Sequence, residues 1–172
     1  EMYSHAKLLS DSLIPRMNAY HEIWLDKTTD SSSKMIAGGV LQDYEPIYGP
    51  YYLPRKFKIG IALPPRNDID VFTHDVGLIA IPSEDGSRIA GYNVAAGGGM
   101  GVTHSMKSTY PRLGSVLGFI APDRVVEVCR TIMLIQKDTG DRKNRKQARL
   151  KYTIDKYWGG AEPFAKELER RL

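Results

Sequence analysis

A short apolar run closed by two prolines constrains this chain more than any other stretch. Ile59-Gly60-Ile61-Ala62-Leu63 reads as a β-strand, and Pro64-Pro65 stops it because proline has no amide to extend a ladder. The segment leading in, Leu53-Pro54-Arg55-Lys56-Phe57-Lys58, alternates its cations at the two-residue period of an extended chain. Lys56 and Lys58 then share one face, with Arg55 and Phe57 on the other. Two parallel ammonium groups at the lip of a sheet repel unless water or an anion lies between them. Lysines also protect solvated strand edges from aggregation, so the spacing alone leaves both readings open.

The rest of the pattern supplies partners for that strand. Val76 to Ile81 and Ile89 to Ala95 read as a hairpin turning at Ser83–Ser87. Asn67-Asp68-Ile69-Asp70 suits a helix start, since these side chains accept first-turn amides, and Asp75 ends that turn. Met2 to Asn18 reads as a helix with Tyr3, Ala6, Leu9, Leu13 and Met17 along one stripe, its last turn weakened by Pro15. Ile23-Trp24-Leu25 fits a short strand, Lys27–Lys34 a connector, and Gly38 to Tyr52 an irregular lead-in. Pro122-Asp123 opens the clearest helix, with Val125, Val126, Cys129, Ile132, Met133 and Gln136 on its apolar stripe and Gly140 at its end. Pro163 to Leu172 reads as a short terminal helix with Phe164, Leu168 and Leu172 on one side. The expected fold class is α+β, a mixed sheet covered by helices. Residues 1–34 are expected to form an N-terminal helix, short strand and linker, and residues 35–172 the main domain.

Two further clusters carry chemistry. In Gly97-Gly98-Gly99-Met100-Gly101, successive glycines permit positive φ and close approach to a flat ligand, and their amides can cradle an anion; a flexible loop has the same composition. Asp141 can cap a helix on which Arg142, Arg145, Lys146 and Arg149 fall on one face. Such clustering destabilises a bare helix and suits an anionic partner, although a solvated face beside acidic neighbours reads the same way.

The 24 Lys and Arg against 20 Asp and Glu give a formal charge of +4, and the excess lies between Arg142 and Lys151. This favours anionic ligands without demanding nucleic acid, and the basic stretch lacks the interleaved aromatics that stack single strands. A nucleic-acid-binding module is therefore the weakest reading. No apolar run approaches the length of a membrane span and no signal-peptide pattern opens the chain. Cys129 is the single cysteine, so an internal disulfide is impossible, a reducing compartment is expected, and a four-thiolate iron–sulfur cluster cannot be ligated by this chain. It sits on the apolar stripe as a core residue. Glu1 opens inside a helical pattern, which suggests a piece of a longer protein. His74 and His104 have no partner at ligand spacing.

Four motifs, LPRKFK, PPRNDID, YNVAAGGGMG and DRKNRKQARLKYT, occur in an order and at separations that resemble the middle of the sirohaem-dependent sulfite reductases. These haemoproteins take sulfite to sulfide with six electrons. The resemblance covers most of residues 1–160 and implies the family's mixed sheet covered by helices. It implies that Lys56 and Lys58 contact the substrate and that Arg55 partners a cofactor carboxylate. Asn67, Gly97, Gly98, Gly99, Arg142, Arg145 and Arg149 fall in the implied cofactor-binding set, with the polycarboxylate tetrapyrrole as the anion facing the basic stretch. Arg149 stands where the family has a cofactor-binding lysine, which keeps the charge but changes the donor geometry.

The same resemblance implies a full-length enzyme carrying sirohaem and a 4Fe-4S cluster. The four cluster cysteines are expected in a second, pseudo-symmetric half, and some substrate arginines upstream of Glu1. An isolated piece is expected to be inactive. The implied partners are sulfite, the remaining halves of the parent chain, and an electron donor that is a ferredoxin or a flavoprotein. The implied location is the cytoplasm, or the plastid stroma in a plant or alga. Nitrite reductases of the same superfamily resemble this chain around Pro54-Arg55-Lys56 but place Asn where Lys58 stands, so LPRKFK favours sulfite. The dissimilatory sulfite reductases depart further, across the glycine and basic motifs.

Overall fold

The computed structural model describes residues 1–16, 23–26, 33–37 and 45–172. It divides into two compact units, one made of Glu1–Ser12 with Leu53–Leu172, the other of Leu13–Tyr52. In the smaller unit, β1 (Ile23–Asp26) pairs antiparallel with β2 (Ser33–Ala37). Ile23-Trp24-Leu25 is thus a strand, as its sequence suggested, while most of the expected connector and residues 38–44 of the Gly38–Tyr52 lead-in lie outside the described residues. The Glu45 carboxylate gathers the end of this unit, accepting the amides of Arg16 at 2.6 Å and Ile47 at 3.1 Å.

The larger unit opens with α1 (Met2–Leu13). The helix stops five residues before the expected Asn18, because Pro15 has no amide to donate and disfavours the helical conformation of Ile14 before it. His5 on α1 reaches the sheet, with Nδ1 2.6 Å from the Tyr92 hydroxyl and the two rings edge-to-face.

The sheet has four strands in the order β3 (Ile59–Ala62), β4 (Val76–Pro82), β5 (Ile89–Ala96) and β6 (Ser115–Ile120). β3 pairs parallel with β4; β4 with β5 and β5 with β6 are antiparallel. It is the mixed sheet of an α+β fold. Across the central pair Val76 faces Ala96, Leu78 faces Val94 and Ala80 faces Tyr92. All six are at most 2% exposed and form the centre of the core. The β4–β5 turn is tight: the Asp85 carboxylate accepts from the Ser83 hydroxyl at 2.6 Å and the Ser87 hydroxyl at 2.7 Å, and Gly86 takes φ +68° facing open space. Those two hydroxyls hold the Asp85 pKa down at about 2.

After β6 a 3-10 turn at Pro122–Arg124 leads into α2 (Val125–Thr139). Val125, Val128, Cys129, Ile132, Met133, Ile135 and Gln136 are its buried face, so Cys129 is a core residue. Burial pushes its thiol pKa up to about 12. The Gln136 amide donates to the Ala148 carbonyl at 2.6 Å and ties the helix to the basic segment. α3 (Leu150–Tyr152) runs into a π-helical turn at Thr153–Tyr157, and α4 (Ala161–Arg171) closes the chain with Phe164 and Leu168 buried and Leu172 40% exposed.

Two expectations need correction, and one strand was not expected. The Asn67-Asp68 segment is not a helix start. Asn67 Oδ1 accepts the Val71 amide at 2.8 Å across a loop, and the only helical turn is 3-10, at Val71–Thr73. The basic segment is not one helix either. Asp141 Oδ1 accepts the amides of Lys143 and Asn144, both at 2.8 Å, and Asn144 Oδ1 accepts that of Lys146. These local side-chain bonds compete with a helical ladder, and like charges at three- and four-residue spacing weaken it further. What remains is a 3-10 turn at Arg145–Gln147, with Arg149 extended (φ −78°, ψ 151°) as the N-cap of α3. Finally, β6 carries no clear strand signal in the sequence, because Ser115 opens it and Gly118 interrupts its apolar run.

Candidate functional site

Topology assembles the site. Because β3 and β4 are parallel, both begin at the same end of the sheet; because β5 and β6 run antiparallel to their neighbours, β5 ends and β6 begins there. Four sequence segments converge at that end: Arg55–Lys58 before β3, Asp75 before β4, Gly97–Gly99 after β5 and Arg112 before β6.

Lys56 and Lys58 lie on the lead-in to β3, which starts only at Ile59. The expected alternation survives there. Both lysines are exposed, Arg55 and Phe57 are half-buried, and among the described residues neither ammonium enters an ion pair. The backbone of Lys58 is fixed at both ends. Its amide donates to Asp75 Oδ2 at 3.0 Å, and its carbonyl accepts from the Val76 amide at 3.0 Å.

The glycines serve the protein's own packing. The amides of Gly97, Gly98 and Gly99 donate to the carbonyls of Asp75, His74 and Arg112 at 2.8–2.9 Å, so all three are already used. Gly97 has φ +80°, a conformation glycine adopts without penalty. A Cβ on Gly98 would stand 2.1 Å from the Phe72 carbonyl oxygen. In front of Gly99 lies the Arg149 guanidinium, whose Cζ would be 3.0 Å from an added Cβ.

Two cations, the half-buried Arg112 and the buried Lys151, stiffen this loop. Arg112 donates to Asp155 at 2.9 Å, to the carbonyls of Gly97 at 2.9 Å and Leu113 at 3.1 Å, and to the Ser115 hydroxyl at 3.1 Å. Tyr110 donates to the other Asp155 oxygen at 3.0 Å; burial first, then this bond and the carboxylate's charge, push its pKa up to about 12. Lys151, with no exposed surface, donates to the carbonyls of Gly99 at 2.8 Å and Gly101 at 3.0 Å and to that of Tyr110, with its ammonium 4.8 Å from the centre of the Tyr152 ring. Burial lowers its pKa, and the neighbouring Arg149 lowers it further.

Beside this loop lies an open cavity of about 420 Å³ lined by Arg55, Arg145, Lys146 and Arg149, with Thr103, Thr109 and Tyr152. Three of the sequence-picked arginines therefore meet at one concave surface. Arg142 goes elsewhere, donating to the Lys137 carbonyl at 2.9 Å near the end of α2. Asn67 spends its side-chain oxygen on its own loop. Lys56 and Lys58 are not among the residues lining the cavity.

The residue that sequence reasoning missed is Asp75. It is 1% exposed, and its Oδ2 lies 3.8 Å from the Arg149 guanidinium as well as on the Lys58 amide. Burial raises its pKa, against the opposing pull of Arg149 and the Lys58 amide. The available signal was a charged residue immediately before a buried strand.

A set of guanidinium and ammonium donors around one concavity fits a polycarboxylate such as sirohaem. The described residues contain no group of three or more His, Cys, Asp or Glu able to hold a metal ion, and Cys129 is buried in α2. No helix among the described residues is long and apolar enough to cross a membrane.

Comparison with known proteins identifies the family. Residues 4–172 match the family described as "Nitrite and sulphite reductase 4Fe-4S domain", and the chain belongs to that family. Over its whole length it is 58% identical to a "Sulfite reductase [NADPH] hemoprotein beta-component" of Geobacillus thermodenitrificans and 53% identical to that of Bacillus subtilis. It is 48% identical to the "Sulfite reductase [NADPH] subunit beta" of Schizosaccharomyces pombe. The chain spans 29%, 28% and 11% of the lengths of these relatives. Among solved structures it is similar to the Mycobacterium tuberculosis NirA protein, with a TM-score of 0.55 and 28% identity over 70% of this chain and 20% of that one.

Proposed function

We propose that this chain is part of an assimilatory-type sulfite reductase haemoprotein, forming one wall of the pocket in which sulfite is reduced to sulfide. The observation that carries the reading is the convergence of Arg55, Lys56, Lys58 and Arg149 at one end of the sheet, in a chain 48–58% identical to sulfite reductase components. Bound sirohaem, coupled to a 4Fe-4S cluster held by another part of the parent chain, would pass to sulfite the six electrons that an external reductant provides. The NADPH in the relatives' names supports a separate component as electron source.

The chain's own residues have three tasks. Arg55, Arg145, Lys146 and Arg149 hold cofactor carboxylates through charge-assisted hydrogen bonds. Lys56 and Lys58 present exposed ammonium groups to the sulfite oxyanion, holding its charge and standing as proton donors to oxygens that leave as water. At about 4 Å and an effective dielectric near 20, one such contact is worth roughly 4 kcal/mol before desolvation is subtracted. Lys151 and Arg112 keep the glycine loop in register behind them.

Lys58→Asn in the parent enzyme tests the reading. It removes one cation, keeps a donor, and copies the residue implied for the nitrite enzymes. Loss of a charge-assisted contact costs about 1.5–3 kcal/mol, roughly one to two decades in kcat/KM for sulfite. Nitrite turnover, involving a smaller and singly charged anion, is expected to hold or improve, with rates normalised to bound sirohaem. Equal falls for both anions would remove Lys58 as the discriminator; no fall in either would return the lysines to a solvated strand edge.

A further inference from the structure

A buried carboxylate is an unexpected thing to find beside a cluster of anion-binding cations. Taken as a point charge, Asp75 opposes the cluster, weakening the field that draws in a carboxylate or an oxyanion. Its contacts give it another use. One oxygen, Oδ2, accepts the Lys58 amide at 3.0 Å and faces the Arg149 guanidinium at 3.8 Å, and its backbone carbonyl accepts the Gly97 amide at 2.8 Å. One residue thus contacts the substrate-lysine segment, the glycine loop and the cavity arginine. Arg149 lies between Asp75 and the bare Cα of Gly99, with its side chain 21% exposed toward the cavity.

We infer that Asp75 is the positioning residue of the anion site, fixing the backbone of Lys58 and aiming Arg149 into the cavity. The inference rests on the proposed function for the identity of the anions, although the geometry requires only that the cavity take one. An Arg149 released from Asp75 would have a free choice of rotamers along its long side chain, and ordering it again on each binding event costs affinity. The role predicts a sign that a pure charge effect cannot give. Removing a negative charge strengthens anion binding if field alone matters, and weakens it if aim matters.

The experiment uses the full-length parent protein with Asp75→Asn, Arg149→Met and the double variant. Asn is nearly isosteric and keeps an acceptor for the Lys58 amide. Asp75→Ser, which keeps an acceptor and adds no bulk, replaces it if the Asn form does not fold. In the holoenzyme, the rate of sirohaem loss is followed by the tetrapyrrole absorption. In the cofactor-free protein, inorganic sulfate is titrated by calorimetry. Asp75→Asn is expected to speed sirohaem loss and weaken sulfate about tenfold, the scale of one charged contact, although the site has become more positive. The double variant is expected to be no worse than Arg149→Met alone, because Asp75 acts through that side chain. Unchanged or tighter binding in Asp75→Asn, additive losses in the double variant, or no sulfate response in the wild type overturns the inference. A wild-type parent protein without sirohaem refutes the proposed function instead, and the sulfate titration still decides the role of Asp75.

Discussion

Replacing Gly98 by alanine separates two explanations of the glycine run. If the glycines exist to let a flat ligand approach, an added methyl group spares the fold and costs only cofactor. The geometry predicts the reverse. The new Cβ would stand 2.1 Å from the Phe72 carbonyl oxygen and 2.6 Å from that of His74, both main-chain atoms. Carbon–oxygen contacts normally begin near about 3.3 Å, so the overlap exceeds an ångström and no side-chain rotation relieves it. The 72–74 segment must move away. That breaks the Gly98 amide bond to His74, 2.9 Å, and strains the Gly114 amide bond to Phe72, 2.7 Å. A buried backbone group left without a partner costs about 1–3 kcal/mol, so the two together cost about 4 kcal/mol. For a domain of this size each kcal/mol lowers Tm by roughly 2–4 °C, giving a fall of about 8–16 °C. Gly101→Ala is the control, since its nearest neighbour is Arg149 Nη1 at 3.7 Å, an ordinary contact; a change within about 0.5 kcal/mol is expected there. Thermal unfolding of both variants by circular dichroism decides the matter. A Gly98→Ala protein that melts within about 2 °C of the Gly101→Ala protein would refute the packing argument.

Two further outcomes follow from titrating groups wholly or partly removed from water. Tyr110, with its pKa raised to about 12 against an ordinary 10.0, keeps its proton in the native state after the unfolded chain has lost it. Its stabilising contribution is complete below pH 10 and is lost as pH rises through about 12, so Tyr110→Phe is expected to flatten the alkaline fall in stability measured by urea unfolding at stepped pH. Cys129, fully buried with its thiol pushed up to about 12, is expected to resist thiol reagents at pH 8 in the folded protein and to react once after denaturation; rapid labelling without denaturant would contradict its place in the core.

Much of this architecture was legible because its signals are local. Pro64 and Pro65 ended β3, the apolar stripe from Val125 to Gln136 marked α2, and the Ser83–Ser87 turn joined two strands. The side-chain alternation of Lys56 and Lys58 held even though regular strand begins only at Ile59. What escaped was set by contacts distant in sequence or by side chains competing with the backbone. Asp141 and Asn144 broke a plausible basic helix into turns, so Arg145 and Arg149 reach one cavity from non-helical chain while Arg142 turns away. Asp75 showed no motif at all, since its importance lies in touching Lys58 and Arg149, 17 residues before it and 74 after it. Gly97–Gly99 stand where other parts of the chain come close: Ile154 and Arg112 at Gly97, Phe72 and His74 at Gly98, and Arg149 at Gly99.

The sheet's opposite ends differ in what they leave open to alteration. At one end four segments lock together around Asp75. At the other, β4 and β5 are joined by the Ser83–Arg88 turn, where Asp85 gathers the neighbouring hydroxyls and Gly86 faces open space. The seven-residue length of β4 separates that turn from the cationic end, roughly 20 Å at the usual rise per residue. The turn is therefore a natural point of attachment: a fluorophore at Ser87 or a short inserted loop meets solvent there, with the length of the sheet between it and the arginines.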